Sequence, residues 1–170
     1  MYRLVTSVLA ILIISTTSVS PVFSQTTAVS FGASTHDPKL PVEIVADTFT
    51  LNQNKGTAVF DGNVVVGQGD MRLSAGNILV EYGAADSTDA GKISRMIATG
   101  GVTLVNGDEA AEADRAIYRL SEGIIVLEGN VLVTQGQSAL SGQEFTINLN
   151  DGSARFEGRV KTIFQAEPVE

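Results

Sequence analysis

Leu127-Glu128-Gly129-Asn130-Val131-Leu132-Val133 decides the fold, because the same phrase returns three more times along the chain. It reads Phe60-Asp61-Gly62-Asn63-Val64-Val65-Val66, then Ala98-Thr99-Gly100-Gly101-Val102-Thr103-Leu104, and last Phe156-Glu157-Gly158-Arg159-Val160-Lys161-Thr162. Gly100, Gly129 and Gly158 stand 29 residues apart, while Gly62 precedes Gly100 by 38. The surplus fits an insertion around Asp86 to Lys92. A fixed period of this size marks a stacked architecture in which no single repeat buries its own apolar face. Function then belongs to a continuous stripe and not to one catalytic point.

Within each phrase the apolar residues alternate with period two, which fits a strand and not a helix of period 3.6. Phe60, Val64 and Val66, then Val102 and Leu104, then Leu127 and Val131 share one phase. Asp61, Asn63, Glu128, Asn130, Glu157 and Arg159 occupy the other. The second half of each repeat continues the apolar face with Met71 and Leu73, then slips by one residue before Ile78 and Val80. Equivalent slips fall at Asp114-Arg115, ahead of Tyr118, and at Gln143-Glu144, ahead of Phe145. A slip that keeps the inward face is the mark of a β-bulge or corner. An incomplete first repeat supplies Val42 and Ile44, then Phe49 and Leu51. Turns are expected at Asn54-Lys55-Gly56, Ser121-Glu122-Gly123 and Asn150-Asp151-Gly152. The expected body is all-β, two facing sheets of four to five stacked coils, about 20–25 Å tall at the usual strand spacing.

The N-terminal segment is set apart from this fold. Arg3 precedes an apolar run from Leu4 to Ile14, then a Ser/Thr stretch and Val22-Phe23-Ser24. That is the layout of a secretory signal peptide, residues 1–24, cleaved before Gln25. Residues 25–40 read as a flexible lead-in, 41–165 as the repeat domain and 166–170 as a tail. Cleavage leaves 146 of the 170 residues and removes Arg3, taking the formal charge from −8 to −9. An acidic chain is a poor partner for nucleic acid. The absence of cysteine in an exported chain leaves packing and ladder hydrogen bonds to hold the fold.

Residues able to carry chemistry are few. His36 is the lone histidine and lies in the lead-in, which argues against a triad or a histidine-based metal site. Asp108, Glu109, Glu112 and Asp114 read as a solvated face. Gly67-Gln68-Gly69 reads as a turn, with no phosphate-binding helix start after it. Arg155, Arg159 and Lys161 alternate onto one outward face as a small basic patch. No catalytic residue, metal site or cofactor is expected, and the chain reads as a non-enzyme.

The stretches Pro41-Val42-Glu43-Ile44-Val45-Ala46-Asp47, Gly56 to Val66, Gln68 to Ala75, Ile97 to Val102 and Leu127 to Val131 resemble the OstA-like (LptA) family. The resemblance covers about residues 41–164 and rests on the order and spacing of the pieces. It implies a β-jellyroll of stacked strands, open at both ends, that carries lipopolysaccharide across the periplasm with its acyl chains in the apolar interior. Under that implication the lipid-binding stripe is Phe49, Leu51, Phe60, Val64, Val66, Met71, Leu73, Ile78, Val80, Val102, Leu104, Tyr118, Leu127, Val131 and Phe145. It further implies inner-membrane and outer-membrane transport components of the same fold as partners. The first and last strands leave unpaired backbone groups, at Val42 and Ile44 on one edge and Val160, Ile163 and Phe164 on the other. Joining last edge to first is a heterologous contact that propagates head to tail. Two other readings stand beside this one: a membrane-anchored component of the same pathway, and a parallel β-helix enzyme or adhesin acting on polysaccharide.

Overall fold

A computed structural model describes residues 40–84 and 87–164; the expected signal, nearly all of the lead-in, His36 and the tail lie outside them. Ten strands make one antiparallel sheet, with no helix among the described residues. They are β1 (Glu43–Val45), β2 (Thr48–Asn52), β3 (Thr57–Gln68), β4 (Met71–Tyr82) and β5 (Ile93–Asn106). Then come β6 (Glu109–Arg119), β7 (Ile124–Gln135), β8 (Ser138–Asn148), β9 (Ala154–Glu157) and β10 (Lys161–Ile163). The order is β1-β3-β4-β5-β6-β7-β8-β10, with β2 also on β3 and β9 also on β8. Each edge is therefore one strand broken in two.

Every long strand is interrupted at the positions where the alternation slips. Register shifts fall between Asp61 and Val64, Thr99 and Val102, and Glu128 and Val131, each time with two residues opposed to one on the next strand. Gly62-Asn63 and Gly129-Asn130 take these sites with positive φ, +82° and +46° in the first pair and +78° and +46° in the second. The conformation suits glycine and, next best, asparagine. The odd-numbered strands keep their side-chain phase through the bulge and the even-numbered ones shift by one, so both present the same face on either side. The bulges line up into a spine, and the sheet folds over on it.

The fold-over is visible in who meets whom. Val66, Met71 and Leu73 lie on one side of the spine and Met96, Ala98, Ala116 and Tyr118 on the other, yet all line one interior space. Every Cα–Cα approach within 8 Å between strands joins hydrogen-bonded neighbours, so the two halves touch through side chains alone. That is the separation of two sheets packed face to face.

Two sequence expectations need correction. Each repeat contributes a hairpin and not one coil, because the chain reverses at Gly69, Gly107 and Gly136, each the first residue of a two-residue loop. Glycine there satisfies the positive φ of a tight hairpin turn. Eight strands in line span about 34 Å at about 4.8 Å per step, taller than the coil reading allowed. The antiparallel ladders also exclude a parallel β-helix. The insertion does fall between β4 and β5, whose connection runs from Gly83 to Lys92.

Candidate functional site

The interior between the two halves is the candidate site. Val64, Val66, Met71, Leu73, Ile78, Val80, Val102, Leu104, Tyr118, Leu127, Val131 and Phe145 are all buried in one apolar cluster, as their phase requires. Phe60 is partly buried against it. Phe145 stacks on Phe156 at 4.3 Å between ring centres. The gap lined by Val66, Leu73, Met96 and Tyr118 holds about 10 Å³, at the lower limit for a single water molecule. Around this gap the halves are closed on each other.

Phe49 and Leu51 sit differently. Their register opposite Phe60 and Ala58 puts them on the inward face. They are nonetheless 56% and 49% exposed, because β2 is the last strand of its half and no further described strand covers it. Phe49 leans on Phe60 at 4.9 Å. The interior's apolar surface thus runs out to the solvent at this end. At the other end Val160, Ile163 and Phe164 are exposed, whereas Val42 and Ile44 are tucked partly against the core.

The basic patch does not assemble. Arg155 and Lys161 face outward on opposite sides of the Gly158-Arg159 break, and Arg155 is tied to Glu157 at 2.7 Å. Nor do the four acids form a pair: Asp114 accepts from Asn130 Nδ2 at 2.9 Å at the spine, and Glu109 accepts from Gln135 Nε2 at 2.6 Å. The outer face is less polar than its alternation suggested. Val59, Leu79, Ile97, Ile117 and Val126 are direct cross-strand neighbours there. They are flanked by the ion pairs Arg95–Glu81 at 2.8 Å and Arg115–Glu128 at 2.7 Å.

Sequence reasoning missed a bond across the interior. The Tyr118 hydroxyl on β6 donates to Gln68 Oε1 on β3 at 2.9 Å, and Gln68 Nε2 donates to the Leu40 carbonyl at 3.0 Å. Burial pushes the Tyr118 phenol up to about 12 by penalising its anion. Gln68 continues the phase of Val64 and Val66, which was the available signal. The bond fastens the mouth of the folded sheet near its N-terminal end.

Residues 43–153 match the LptA/(LptD N-terminal domain) LPS transport protein family. The chain belongs to this family. An uncharacterized protein of Rhizobium meliloti (strain 1021) is 30% identical over 128 residues, 71% of this chain and 69% of that one. The fold matches the crystal structure of LptH from Pseudomonas aeruginosa, described as the LptA-homologous periplasmic component of the lipopolysaccharide transport device. The TM-score is 0.66 at 18% identity, over 76% of this chain and 99% of LptH. This LptA-family chain therefore has the jellyroll that the resemblance implied.

Proposed function

We propose that the protein is a non-catalytic periplasmic carrier for lipopolysaccharide. It takes the acyl chains between the two halves of its sheet and passes them along a bridge from inner to outer membrane. The observation that carries this reading is the unbroken apolar interior that reaches solvent at Phe49 and Leu51. Burying acyl chains there is favourable at about 0.8 kcal/mol per methylene, the driving force any such carrier needs. Residues 1–24 act as the cleaved export signal, and 41–165 as the working domain. The broken edge strands join copies head to tail and dock the inner- and outer-membrane components, since both edges present unpaired backbone groups.

Photo-crosslinking groups placed at inward Val64 or Leu127 capture lipopolysaccharide, and groups at outward Asn63 or Glu128 do not. Equal capture from both faces refutes the interior as the binding site. Light scattering of the protein shows mass rising with concentration, and removal of residues 159–170 suppresses the rise. A constant monomer mass, together with no pairing to an edge-bearing partner, refutes the bridge.

A further inference from the structure

One outward row of the sheet differs from end to end. By register Glu43 on β1 stands beside Gly67 on β3, and Gly67 beside Arg72 on β4. The row runs on through Val105, Ala110, Thr134 and Ala139 to Ile163 on β10. Counted from Gly62, Gly100, Gly129 and Gly158, the fifth residue is Gly67, Val105, Thr134 and Ile163. Only the first repeat has no side chain there. Gly67 has no positive φ, so its backbone conformation does not require glycine. What it provides is room. Arg72 lays its guanidinium over Gly67, with Nη1 3.4 Å and Nε 3.5 Å from where a Cβ would stand. A hollow of about 450 Å³ opens there, lined by Pro41, Val45 and Val65 together with Glu43 and Arg72.

Arg72 is held but not neutralised. Its Nη1 donates to the Gly69 and Met71 carbonyls, and no carboxylate among the described residues forms an ion pair with it. An exposed guanidinium fixed beside apolar walls suits a carboxylate carried on a short apolar peptide.

The place where the chain leaves the sheet supplies one. Ile163 pairs with Ala139 beside the turn at Gly136, so β10 ends on the rim that carries Gly69. Beyond Phe164 the sequence is Gln165-Ala166-Glu167-Pro168-Val169-Glu170, and Glu167 keeps the sequence phase of Ile163. From Phe164 to Glu167 the chain spans at most about 10–11 Å. In the same molecule β3, under the guanidinium, lies about 29 Å from β10 along the strand order. In a second copy whose β1 abuts this β10, its β3 is about 10 Å away. β10 ends and β1 begins at this rim, so the joint is antiparallel like the ladders within the sheet.

We propose that Glu167 of one copy seats in the hollow at the head of the next, its carboxylate on Arg72 and Pro168 and Val169 against Val45 and Val65. The latch rests on the head-to-tail bridge proposed above and deepens it: the tail recognises the neighbour's head by this hollow, which the later repeats fill with side chains.

Light scattering tests the pair by charge exchange. Arg72→Glu and Glu167→Arg each raise the concentration at which mass climbs by about fivefold, the scale of one favourable ion pair. The double variant returns it to within about twofold. Gly67→Val, which fills the hollow, gives the same loss with both charges in place. The chain has no cysteine, so Val65→Cys combined with Glu167→Cys reports position. Oxidation links neighbouring copies into a ladder on a non-reducing gel. A mass rise unchanged in the charge and Gly67 variants overturns the latch while the bridge stands. A loss that the double charge variant does not recover overturns the pairing of Glu167 with Arg72. A disulfide from Val65→Cys to Thr35→Cys within one molecule, with none to position 167, gives the hollow to the lead-in and overturns the latch as well. No mass rise in the unaltered protein, and no ladder, overturns bridge and latch together.

Discussion

Replacing Gly129 by alanine tests whether the spine of bulges holds the fold, with Gly136→Ala as its internal control. Both glycines have positive φ, +78° and +57°, so both variants force an L-residue into left-handed backbone. That strain is about 1–2 kcal/mol, partly offset by about 0.4–1 kcal/mol from a stiffer unfolded chain. At Gly136 an added Cβ meets nothing within 4 Å, so about 1 kcal/mol is the whole effect. At Gly129 the Cβ meets the Asp114 carboxylate and lies 3.0 Å from Asp114 Cβ, so Asp114 has to swing away. It then loses the 2.9 Å bond from Asn130, about 0.5–1.5 kcal/mol, and its rotamer, a similar amount. Gly129→Ala should therefore cost about 2–4 kcal/mol, a gap of about 1–3 kcal/mol over the control. Urea unfolding followed by circular dichroism resolves this as a midpoint difference of about 1 M. Asp114→Ala in the same chain should recover about 1 kcal/mol of the gap by double-mutant cycle. Agreement of the two alanine variants within about 0.5 kcal/mol would refute the claim that the bulge is built by close contact.

Three further outcomes follow from the same geometry. Phe145→Ala, at the packed centre against Phe156, should lower stability by about 3–5 kcal/mol in a urea titration, and a loss under 1 kcal/mol would mean a loose interior. Phe49→Ala should cost less than about 1 kcal/mol, since the ring is half exposed, yet reduce the concentration-dependent rise in mass seen by light scattering. Because the Tyr118 phenol is raised from 10.0 to about 12, the unfolded chain gives up this proton first as pH rises. Its contribution is whole below about pH 10 and lost towards pH 12, so Tyr118→Phe should flatten the stability curve in that window; an unchanged slope would place the phenol in water.

The repeat carried much of this architecture in plain view. Slips at Gly76-Asn77, Asp114-Arg115 and Gln143-Glu144 became the bulges because a phase change that preserves the buried face has few other physical causes. The direction of the chain was not legible. Period-two alternation is identical whether the next segment advances or doubles back, so the hairpins at Gly107 and Gly136 were invisible to it and the height came out short. The inward stripe was legible by phase, but exposure at Phe49 and Leu51 was not, since phase does not say where the facing half ends. Gln68 and Asn106 were lost for a related reason: a polar residue beside a turn glycine looks solvated until the opposite half folds over it.

Close backbone approaches confined to neighbouring strands make the hairpin a unit of growth. Inserting one more copy of the β5–β6 type would lengthen the body by about 9–10 Å and leave every existing ladder but one intact. In the bridge proposed above, a second molecule set edge to edge would do the same thing without a peptide bond. To a chain sliding along the interior, a covalent turn and a seam between molecules would then present the same wall at the same spacing.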